Sequence, residues 1–410
     1  MAVKLDFVTS EIFIKIITKG LAVFRTLFLL FFFTVSSALD NFYFAKSIIG
    51  IVILLNILIE ITYSNQLNEH KDNINFIKKF NLLLNKLAVS SGFLLILFSL
   101  FFSKNNEITS HIIILTFWGI LNINSNYFLL LYRYKKLNSK VLIYYLLTSV
   151  FDIVLLLSFL KILNSENSFF AISLSLLLSE FLVFIFLFLK FSLKNYKKGK
   201  LDLFKFDLEK GKLYKVFFIL IIIALIDISD KFFLSFLGEG KITYYTYGLY
   251  APLMIRQSLD IRSNFFVQIN TVKSIEKTKK IFYNTIKKLI PFFLLGVFIL
   301  VFAIELFDEV IINTFHLENL SVFKNIVYLG IVITPLYMLW DLFYRFYYRE
   351  NKINSLIKIV IIGLLINLVL NYYLGFALSF GIYGILVSTL IVFLFYNFIS
   401  FNIFFIKKKS

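Results

Sequence analysis

Long, uninterrupted apolar runs dominate the pattern of hydrophobic and polar positions along this chain. Between Ile359 and Ile406 there is no Asp, Glu, Lys or Arg, although about 20 apolar residues are enough for one helix to cross the hydrocarbon core of a membrane. This stretch alone predicts two membrane-spanning helices. Strands of an outer-membrane barrel would alternate apolar and polar residues over about 10 positions, so the continuous runs favour helices.

Apolar runs bounded by charged clusters and by Asn, Ser or Gly turns recur twelve times. The chain is therefore predicted to be all-α, a polytopic membrane protein with about 12 transmembrane helices in two lobes of six. The first lobe and its basic cytoplasmic linker cover residues 1–212, and the second lobe covers residues 213–410. The predicted spans lie at approximately 12–35, 41–63, 82–102, 111–131, 141–162, 169–189, 214–237, 243–266, 286–307, 324–344, 356–376 and 381–405.

Basic residues are distributed unevenly between the connecting segments. If the N-terminus is cytoplasmic, the inner segments hold 30 of the 42 Lys and Arg residues, whereas the outer segments hold only Lys104, Lys161, Lys241 and Lys324. The positive-inside rule then places both termini in the cytoplasm. The formal net charge of +18 follows from this topology and from contact with anionic membrane lipids, so no nucleic-acid partner is expected.

Composition narrows the range of functions further. The chain is 60% hydrophobic and only 16% charged, which excludes a soluble globular protein. It contains no Cys and three scattered His residues, so neither a disulfide nor a bound metal centre is expected. No phosphate-binding loop and no large outer loop with a catalytic set is visible. These features favour a transporter over an enzyme, with no cofactor apart from a coupling ion, Na⁺ or H⁺.

Ionisable residues within the membrane are concentrated in the first two spans of each predicted lobe. A charge at mid-bilayer costs about 3 kcal/mol or more, so it is expected to face the interior of the bundle or a wet cavity. We therefore predict that spans 1, 2, 7 and 8 line one cavity. The charged residues of these spans are Arg25, Lys46, Asp227, Asp230, Lys231, Arg256 and Asp260.

The acids of span 7 form a local cluster. Asp227 and Asp230 are three residues apart and Lys231 follows Asp227 by four, so all three share one helical face and Lys231 can neutralise one acid. Two interpretations remain open. The cluster is either a salt bridge contained within the helix or part of a cation or proton site.

Spans 11 and 12 offer neutral oxygen ligands at comparable depth. Asn367 and Asn371 are four residues apart on one face, and Ser388 and Thr389 follow in span 12. Together with an acid of span 7 they could form an all-oxygen site for a monovalent cation, or else simply hydrogen-bond across helices. We take Asp227, Asp230, Asn367 and Asn371 as the predicted ion-coupling residues.

The basic residues of the spans have several alternative partners. Arg25 has no acid three or four positions away, so it is expected to pair with Asp227 or Asp230 or to bind an anionic ligand, since a guanidinium matches phosphate bidentately. Lys46 could add positive charge or extend outward. Two opposite-charge pairs at a spacing of four are Arg256 with Asp260 and Asp341 with Arg345; Asp152 and Glu180 could pair with each other or with Lys86.

Two regions of the chain resemble a known family. Residues 20–25 (GLAVFR) and 40–45 (DNFYFA) resemble the first two helices of lipid II flippases, which pair a mid-helix Arg with a D-x-F-x-x-A opening. Residues 346–352 (FYYRENK), Asn367 and residues 381–385 (GIYGI) resemble the tenth to twelfth helices of the same superfamily. This is the superfamily of multidrug, oligosaccharidyl-lipid and polysaccharide (MOP) exporters. The chain is most similar to its Wzx-type polysaccharide flippases.

The resemblance implies a MATE-like fold of two alternating lobes in a bacterial cytoplasmic (inner) membrane. It further implies that the protein moves an undecaprenyl-pyrophosphate-linked oligosaccharide outward for O-antigen or capsule synthesis. Glycan polymerase and chain-length machinery would be its partners. In this interpretation the pyrophosphate and the cavity involve the predicted set Arg25, Lys46, Lys231, Arg256 and Asp40. A MATE-type cation or drug antiporter, a lipid II flippase and, further off, a glycan polymerase are the alternatives.

Overall fold

The computed structural model describes residues 36–69, 74–102, 106–134, 138–163, 169–195, 210–258, 274–306 and 319–406, together with Leu21, Arg25, Phe28, Leu29, Phe32 and Phe33. This part of the chain is helical and contains no strand, which confirms the predicted all-α class. The described residues between 21 and 33 are all helical and are labelled α1.

Eleven further helices follow in the described part of the chain. They are α2 (Ser37–Glu69), α3 (Ile74–Phe102), α4 (Asn106–Tyr134), α5 (Asn138–Ile162), α6 (Phe170–Asn195), α7 (Lys210–Ser235), α8 (Lys241–Ser258), α9 (Ile275–Leu306), α10 (Leu320–Arg349), α11 (Ile353–Tyr372) and α12 (Gly381–Phe401). One π-helical turn, Tyr373–Ala377, continues α11, and a second, Asn402–Ile406, continues α12.

Eight of the described helices are long and apolar enough to cross a membrane, so the chain is a multi-pass membrane protein. They are α2, α4, α5, α6, α9, α10, α11 and α12. Helix α7 carries Asp227, Asp230 and Lys231, and α8 carries Tyr244, Tyr245 and Thr246; such polar side chains lower hydropathy. The predicted number of 12 spans and the cytoplasmic termini stay predictions, and most of the first span lies outside the described residues.

The chain divides into two compact units. The first comprises Met1–Phe33 and Asn41–Ala224, and the second comprises Thr34–Asp40 and Leu225–Ser410. The change of unit thus falls within α7, whose C-terminal part hydrogen-bonds with α11 and α12 through Asp230. The predicted boundary at 212/213 stays a prediction. Residues 196–209 of the predicted linker lie outside the described part.

Each unit has its own helix packing. In the first unit α3 packs on α4, and α6 packs on both α4 and α5. In the second unit α10 packs on α8 and α12, and α11 packs on α12. Tyr347, Tyr396 and Phe346 are fully buried in the second unit, so large aromatic side chains form much of its core.

Helices α11 and α12 approach closely because Gly363 has no side chain. A Cβ at this position would lie 2.3 Å from the hydroxyl oxygen of Tyr396, which itself donates to the carbonyl of Val360 at 3.3 Å. At the turn between the helices Gly381 adopts a φ of +55°, a conformation that glycine reaches without steric cost. This hairpin brings the polar residues of α11 opposite those of α12.

Candidate functional site

A buried carboxylate on α7 is the centre of the most polar cluster in the second unit. Asp230 is only 1% exposed. Its Oδ1 accepts hydrogen bonds from the amides of Asn371 at 2.8 Å and Asn367 at 3.0 Å. Its Oδ2 accepts from the hydroxyls of Thr389 at 2.7 Å and Tyr245 at 2.8 Å. Helices α7, α8, α11 and α12 thus converge on one acid.

Local helix geometry explains this convergence. Asn367 and Asn371 are separated by one turn of α11 and therefore point to the same side, and the Asn371 amide also donates to Oδ1 of Asn367 at 3.2 Å. Ser388 of α12 donates to the backbone carbonyl of Asn367 at 3.2 Å, and Ser229 of α7 donates to its side-chain oxygen. We call Asp230, Asn367, Asn371, Ser388, Thr389, Ser229 and Tyr245 the Asp230 cluster.

The Asp230 cluster has the chemistry of a site for a proton or a hard monovalent cation. Its members are oxygen donors, and within the described residues no Lys or Arg forms an ion pair with Asp230. The side-chain oxygen of Asn371 is buried without a hydrogen-bond partner in that part of the chain. Because an Asn amide can rotate to present its oxygen instead of its nitrogen, Asn367 and Asn371 could both become ligands. Carboxylate and carbonyl oxygens are ligands for hard cations, and Na⁺ or H⁺ as the bound ion stays a prediction.

The second acid of α7 has a different environment. The predicted pair of Asp227 and Lys231 is present, with Nζ and Oδ2 2.8 Å apart. The Asp227 side chain is 53% exposed, whereas that of Lys231 is 11% exposed. Lys231 therefore neutralises Asp227 and leaves Asp230 as the buried acid of α7. The salt-bridge interpretation is confirmed for Asp227, and the cation or proton site stays a prediction.

Arg25 has a partner that the sequence did not indicate. Its guanidinium forms an ion pair with Asp152 of α5, and its Nη2 lies 3.5 Å from the carbonyl oxygen of Ile172. All three residues belong to the first unit. The expected pairing of Arg25 with an acid of α7 is wrong, as is the expected pairing of Asp152 with Glu180 or Lys86, because a buried guanidinium already compensates the Asp152 carboxylate.

Arg256 also pairs across helices. Its Nη2 and Nε lie 2.6 and 2.9 Å from Oδ2 of Asp341 on α10, and its guanidinium lies over the ring of Tyr337. The predicted pair of Asp341 with Arg345 is wrong, since Arg345 donates to the backbone carbonyl of Asp341 at 2.8 Å. The predicted partner Asp260 lies outside the described residues.

The last two predicted cargo residues lie on α2. The Lys46 ammonium is placed 5.6 Å from the ring centre of Phe42, one turn earlier. Asp40 accepts from the backbone N–H groups of Gly240 and Thr243, both at 2.7 Å, and from the Thr243 hydroxyl at 2.6 Å. The structure thus places Asp40 as a cap on the N-terminus of α8, and its part in cargo binding stays a prediction.

Sequence reasoning missed two members of the Asp230 cluster and one polar network. Tyr245 is one of several tyrosines of α8, and Ser229 has no distinguishing spacing. In the first unit, Glu180 accepts hydrogen bonds from the hydroxyl of Tyr144 and the amide of Asn122. The available signal was the acid itself. A buried charge requires hydrogen-bond donors, so an acid within a membrane span predicts polar side chains on the neighbouring helices.

The described geometry is that of a helical membrane protein, and comparisons with known proteins bear on its fold. No family model matches the chain, and no curated protein matches it. Among solved structures, the chain is similar to the lipid II flippase MurJ in an inward closed conformation, at 16% identity and a TM-score of 0.64, over 96% of this chain and 87% of that one.

Solved structures of MATE transporters are similar to this chain at TM-scores comparable to that of MurJ. A multidrug-resistance MATE transporter of the MOP superfamily in an inward-facing conformation matches at 14% identity and a TM-score of 0.65, over 93% of each chain. The MATE transporter ClbM in complex with Rb⁺ matches at 12% identity and a TM-score of 0.61, over 98% of this chain and 93% of that one. The chain therefore has the MATE/MurJ-like fold of MOP-superfamily transporters, as the sequence resemblance predicted.

Proposed function

We propose that the protein is an ion-coupled flippase of the bacterial cytoplasmic membrane. It moves an undecaprenyl-pyrophosphate-linked oligosaccharide outward by alternating access, for the synthesis of O-antigen, capsule or a related surface polysaccharide. The observation that carries the transport mechanism is the Asp230 cluster, a buried acid surrounded by neutral oxygen donors in a transporter fold. A site of this kind binds an ion whose free energy of binding differs between conformations, and such a difference is what couples an ion to a conformational change.

Two features support the lipid-linked cargo. The segments at 20–25 and 40–45 resemble the corresponding segments of lipid II flippases, and the similarity to MurJ extends over nearly the whole chain. Arg25, Lys231 and Arg256 each form an ion pair with a carboxylate. Ion pairs of this kind can exchange a carboxylate for a phosphate oxygen, because both are anionic oxygen acceptors of matching geometry.

A matching ion chemistry supports the coupling. The similar transporter ClbM has been solved in complex with Rb⁺, a monovalent cation. In this chain an acid, two amides and two hydroxyls meet at the Asp230 cluster, and their oxygens are the ligands proposed for a monovalent cation. Na⁺ and H⁺ are the candidate coupling ions, since both are abundant and favour oxygen ligands.

Complementation tests the cargo. The chain is expressed with its own glycan pathway in a bacterial strain that lacks its polysaccharide flippase, and glycan at the cell surface is scored. We expect the wild-type chain to restore export and the double variant Arg25→Ala with Asp152→Ala to abolish it, because the double variant removes the guanidinium without leaving a buried unpaired charge. Full export by a stably inserted double variant would overturn the role of Arg25.

One observation favours a second candidate, a MATE-type cation or drug antiporter. Each of Arg25, Lys231 and Arg256 is neutralised by a carboxylate, so none of these three cationic side chains is unpaired and ready to bind an anion. The same complementing strain separates the two functions. Raised tolerance to cationic drugs without restored surface glycan would favour the antiporter, whereas restored glycan without drug tolerance would favour the flippase.

A further inference from the structure

A cavity of about 220 Å³ lies within the first unit, among α1, α4, α5 and α6. Its walls include the amides of Asn122 and Asn126, the hydroxyls of Thr148 and Ser149, and the indole of Trp118. The volume corresponds to about seven water molecules at about 30 Å³ each, or to one six-membered sugar ring. No residue of the Asp230 cluster lines this cavity. The polar side chains of the cavity therefore have no role in the proposed ion site.

Charge argues against an ionic occupant of this cavity. Arg25, Asp152 and Glu180 line it, and while Arg25 stays paired with Asp152 their formal charges give a net charge of −1, which disfavours a phosphate or another anion. The exchange proposed above, in which Arg25 releases Asp152 for a phosphate oxygen, belongs to a different state of this ion pair. A cation would meet the Arg25 guanidinium, which already compensates Asp152. The two oxygens of Glu180 already accept from Tyr144 and Asn122. A neutral occupant avoids the repulsion that the net negative charge imposes on an anion and the repulsion that the Arg25 guanidinium imposes on a cation.

The cavity nevertheless has unused hydrogen-bonding capacity. Asp152 is 4% exposed, and its Oδ1 has no hydrogen-bond partner within the described residues. A buried acceptor without a donor costs about 1–3 kcal/mol, so an occupant that brings a donor to this oxygen is stabilised. A hydroxyl group is such a donor.

The surrounding side chains supply acceptors for the same hydroxyl-rich occupant. The hydroxyls of Thr148 and Ser149 donate to the helix carbonyls of Tyr144 and Tyr145, both at 2.9 Å. The lone pairs of these two hydroxyl oxygens can therefore accept hydrogen bonds from an occupant. The indole of Trp118 offers a flat apolar face. A ring that has hydroxyls at its edge and C–H groups on its face matches this combination of polar and aromatic walls.

We propose that this cavity is a binding pocket for one neutral pyranose residue, with Asp152, Thr148 and Ser149 hydrogen-bonding its hydroxyls and Trp118 packing against its face. The proposal rests on the proposed flippase function, because the oligosaccharide of the cargo supplies the sugar. It deepens that function by assigning sugar recognition to the first unit and ion coupling to the Asp230 cluster. The pocket then contributes to selection of the glycan.

Tryptophan fluorescence of the purified full-length protein tests the pocket directly. The chain contains only two Trp residues, Trp118 and Trp340, so the variant Trp340→Phe leaves Trp118 as the reporter. The probes are methyl glycosides of neutral hexoses and N-acetylhexosamines, with inorganic pyrophosphate and rubidium ions as the anionic and cationic comparisons. We expect at least one glycoside to change the Trp118 emission saturably, and neither ion to do so.

A matched pair of variants on α5 controls for indirect effects. Ser149→Phe fills the cavity, whereas Ser158→Phe adds the same ring at an exposed position whose hydroxyl makes the equivalent bond to the carbonyl four residues earlier. Ser149→Phe should weaken glycoside binding by at least about tenfold, a loss comparable to one good hydrogen bond to a charged group. Ser158→Phe should leave it unchanged.

Each outcome decides the proposal. A glycoside response that disappears only in Ser149→Phe supports the pocket, while a response to pyrophosphate or rubidium alone, or to no probe at all, overturns it. Reconstituted transport of the lipid-linked oligosaccharide is measured in parallel. Transport without glycoside binding would overturn the proposed pocket and support the flippase function. Glycoside binding without transport would support the pocket and overturn the flippase function.

Discussion

Thr243 donates both its backbone N–H and its hydroxyl to the same carboxylate oxygen of Asp40, at 2.7 and 2.6 Å. The other oxygen of Asp40 accepts from the backbone N–H of Gly240 at 2.7 Å. These donors belong to the unsatisfied N–H groups at the start of α8. Asp40 is distant from them in sequence, so the start of α2 and the start of α8 are joined through one side chain.

Removal of this cap should destabilise the protein. Asp40→Ala leaves the first N–H groups of α8 without their acceptor, and we expect a loss of about 0.5–2 kcal/mol in the free energy of unfolding. Asp40→Asn keeps one acceptor oxygen and should lose less. Unfolding of the purified protein in detergent, followed by circular dichroism, measures both variants; equal stability of Asp40→Ala and the wild type would contradict the capping role.

Thr389 should stabilise the Asp230 carboxylate. Thr389→Val retains the shape of the side chain but removes the 2.7 Å hydrogen bond to Oδ2, so we expect a loss of about 1–3 kcal/mol in unfolding free energy. The control is Thr334→Val on α10, whose buried hydroxyl donates to the helix carbonyl of Gly330 at 2.7 Å. Chemical denaturation compares the two, and a loss in Thr334→Val as large as that in Thr389→Val would argue against a special role for the carboxylate bond.

The ion pair of Arg25 and Asp152 should behave as one energetic unit. Either single alanine variant leaves a buried unpaired charge and should cost about 3–5 kcal/mol, whereas the double variant should recover part of that loss. A double-mutant cycle on the unfolding free energy measures the coupling. Simple additivity of the two losses would show that the residues do not interact.

Gly363 should not tolerate a larger residue. In Gly363→Ala the new Cβ would lie 2.3 Å from the Tyr396 hydroxyl oxygen, and overpacking of this kind costs about 1–3 kcal/mol. Gly50→Ala is the matched control, because a Cβ at Gly50 in α2 has no neighbour within 4 Å and Ala favours helix over Gly. The thermal unfolding midpoint should therefore fall for Gly363→Ala and stay level or rise for Gly50→Ala; the reverse order would contradict the close packing of α11 and α12.

The helical architecture was predictable because membrane spans leave a strong signal in hydropathy. The ends of the helices were not. The span predicted at 324–344 is the central part of α10, Leu320–Arg349. The turn beyond residue 344 contains Arg345 and Arg349. Polar turns of a helix that extends beyond the hydrocarbon core have the same composition as a loop.

Parts of the polar network on α7 and α11 were predictable from helical spacing. Asn367 with Asn371, and Asp227 with Lys231, are pairs at a separation of four, and the structure shows each pair on a shared face. Which acid is buried depends on how α7 is rotated against its neighbours, and this rotation has no local signal.

Ion pairs between residues of different helices could not be predicted from the sequence. Asp260 and Arg345 are the local partners that spacing suggested for Arg256 and Asp341, yet the structure pairs Arg256 with Asp341, 85 positions apart. A long guanidinium side chain reaches a neighbouring helix as easily as the next turn of its own. Without knowledge of which helices are neighbours, the local partner is the default choice, and for Asp341 it is wrong. The local pair of Arg256 with Asp260 stays a prediction, because Asp260 lies outside the described residues.

If ion binding at Asp230 drives the proposed transport, the effect of an ion gradient must depend on this residue. Outward movement of the lipid-linked oligosaccharide is followed in proteoliposomes under an imposed Na⁺ or H⁺ gradient, for the wild type, Asp230→Asn and the half-exposed neighbour variant Asp227→Asn. We expect one gradient to accelerate transport in the wild type and in Asp227→Asn, and we expect Asp230→Asn to insert and fold but to lose this response. A response of Asp230→Asn equal to that of the wild type would show that Asp230 does not couple the ion to transport.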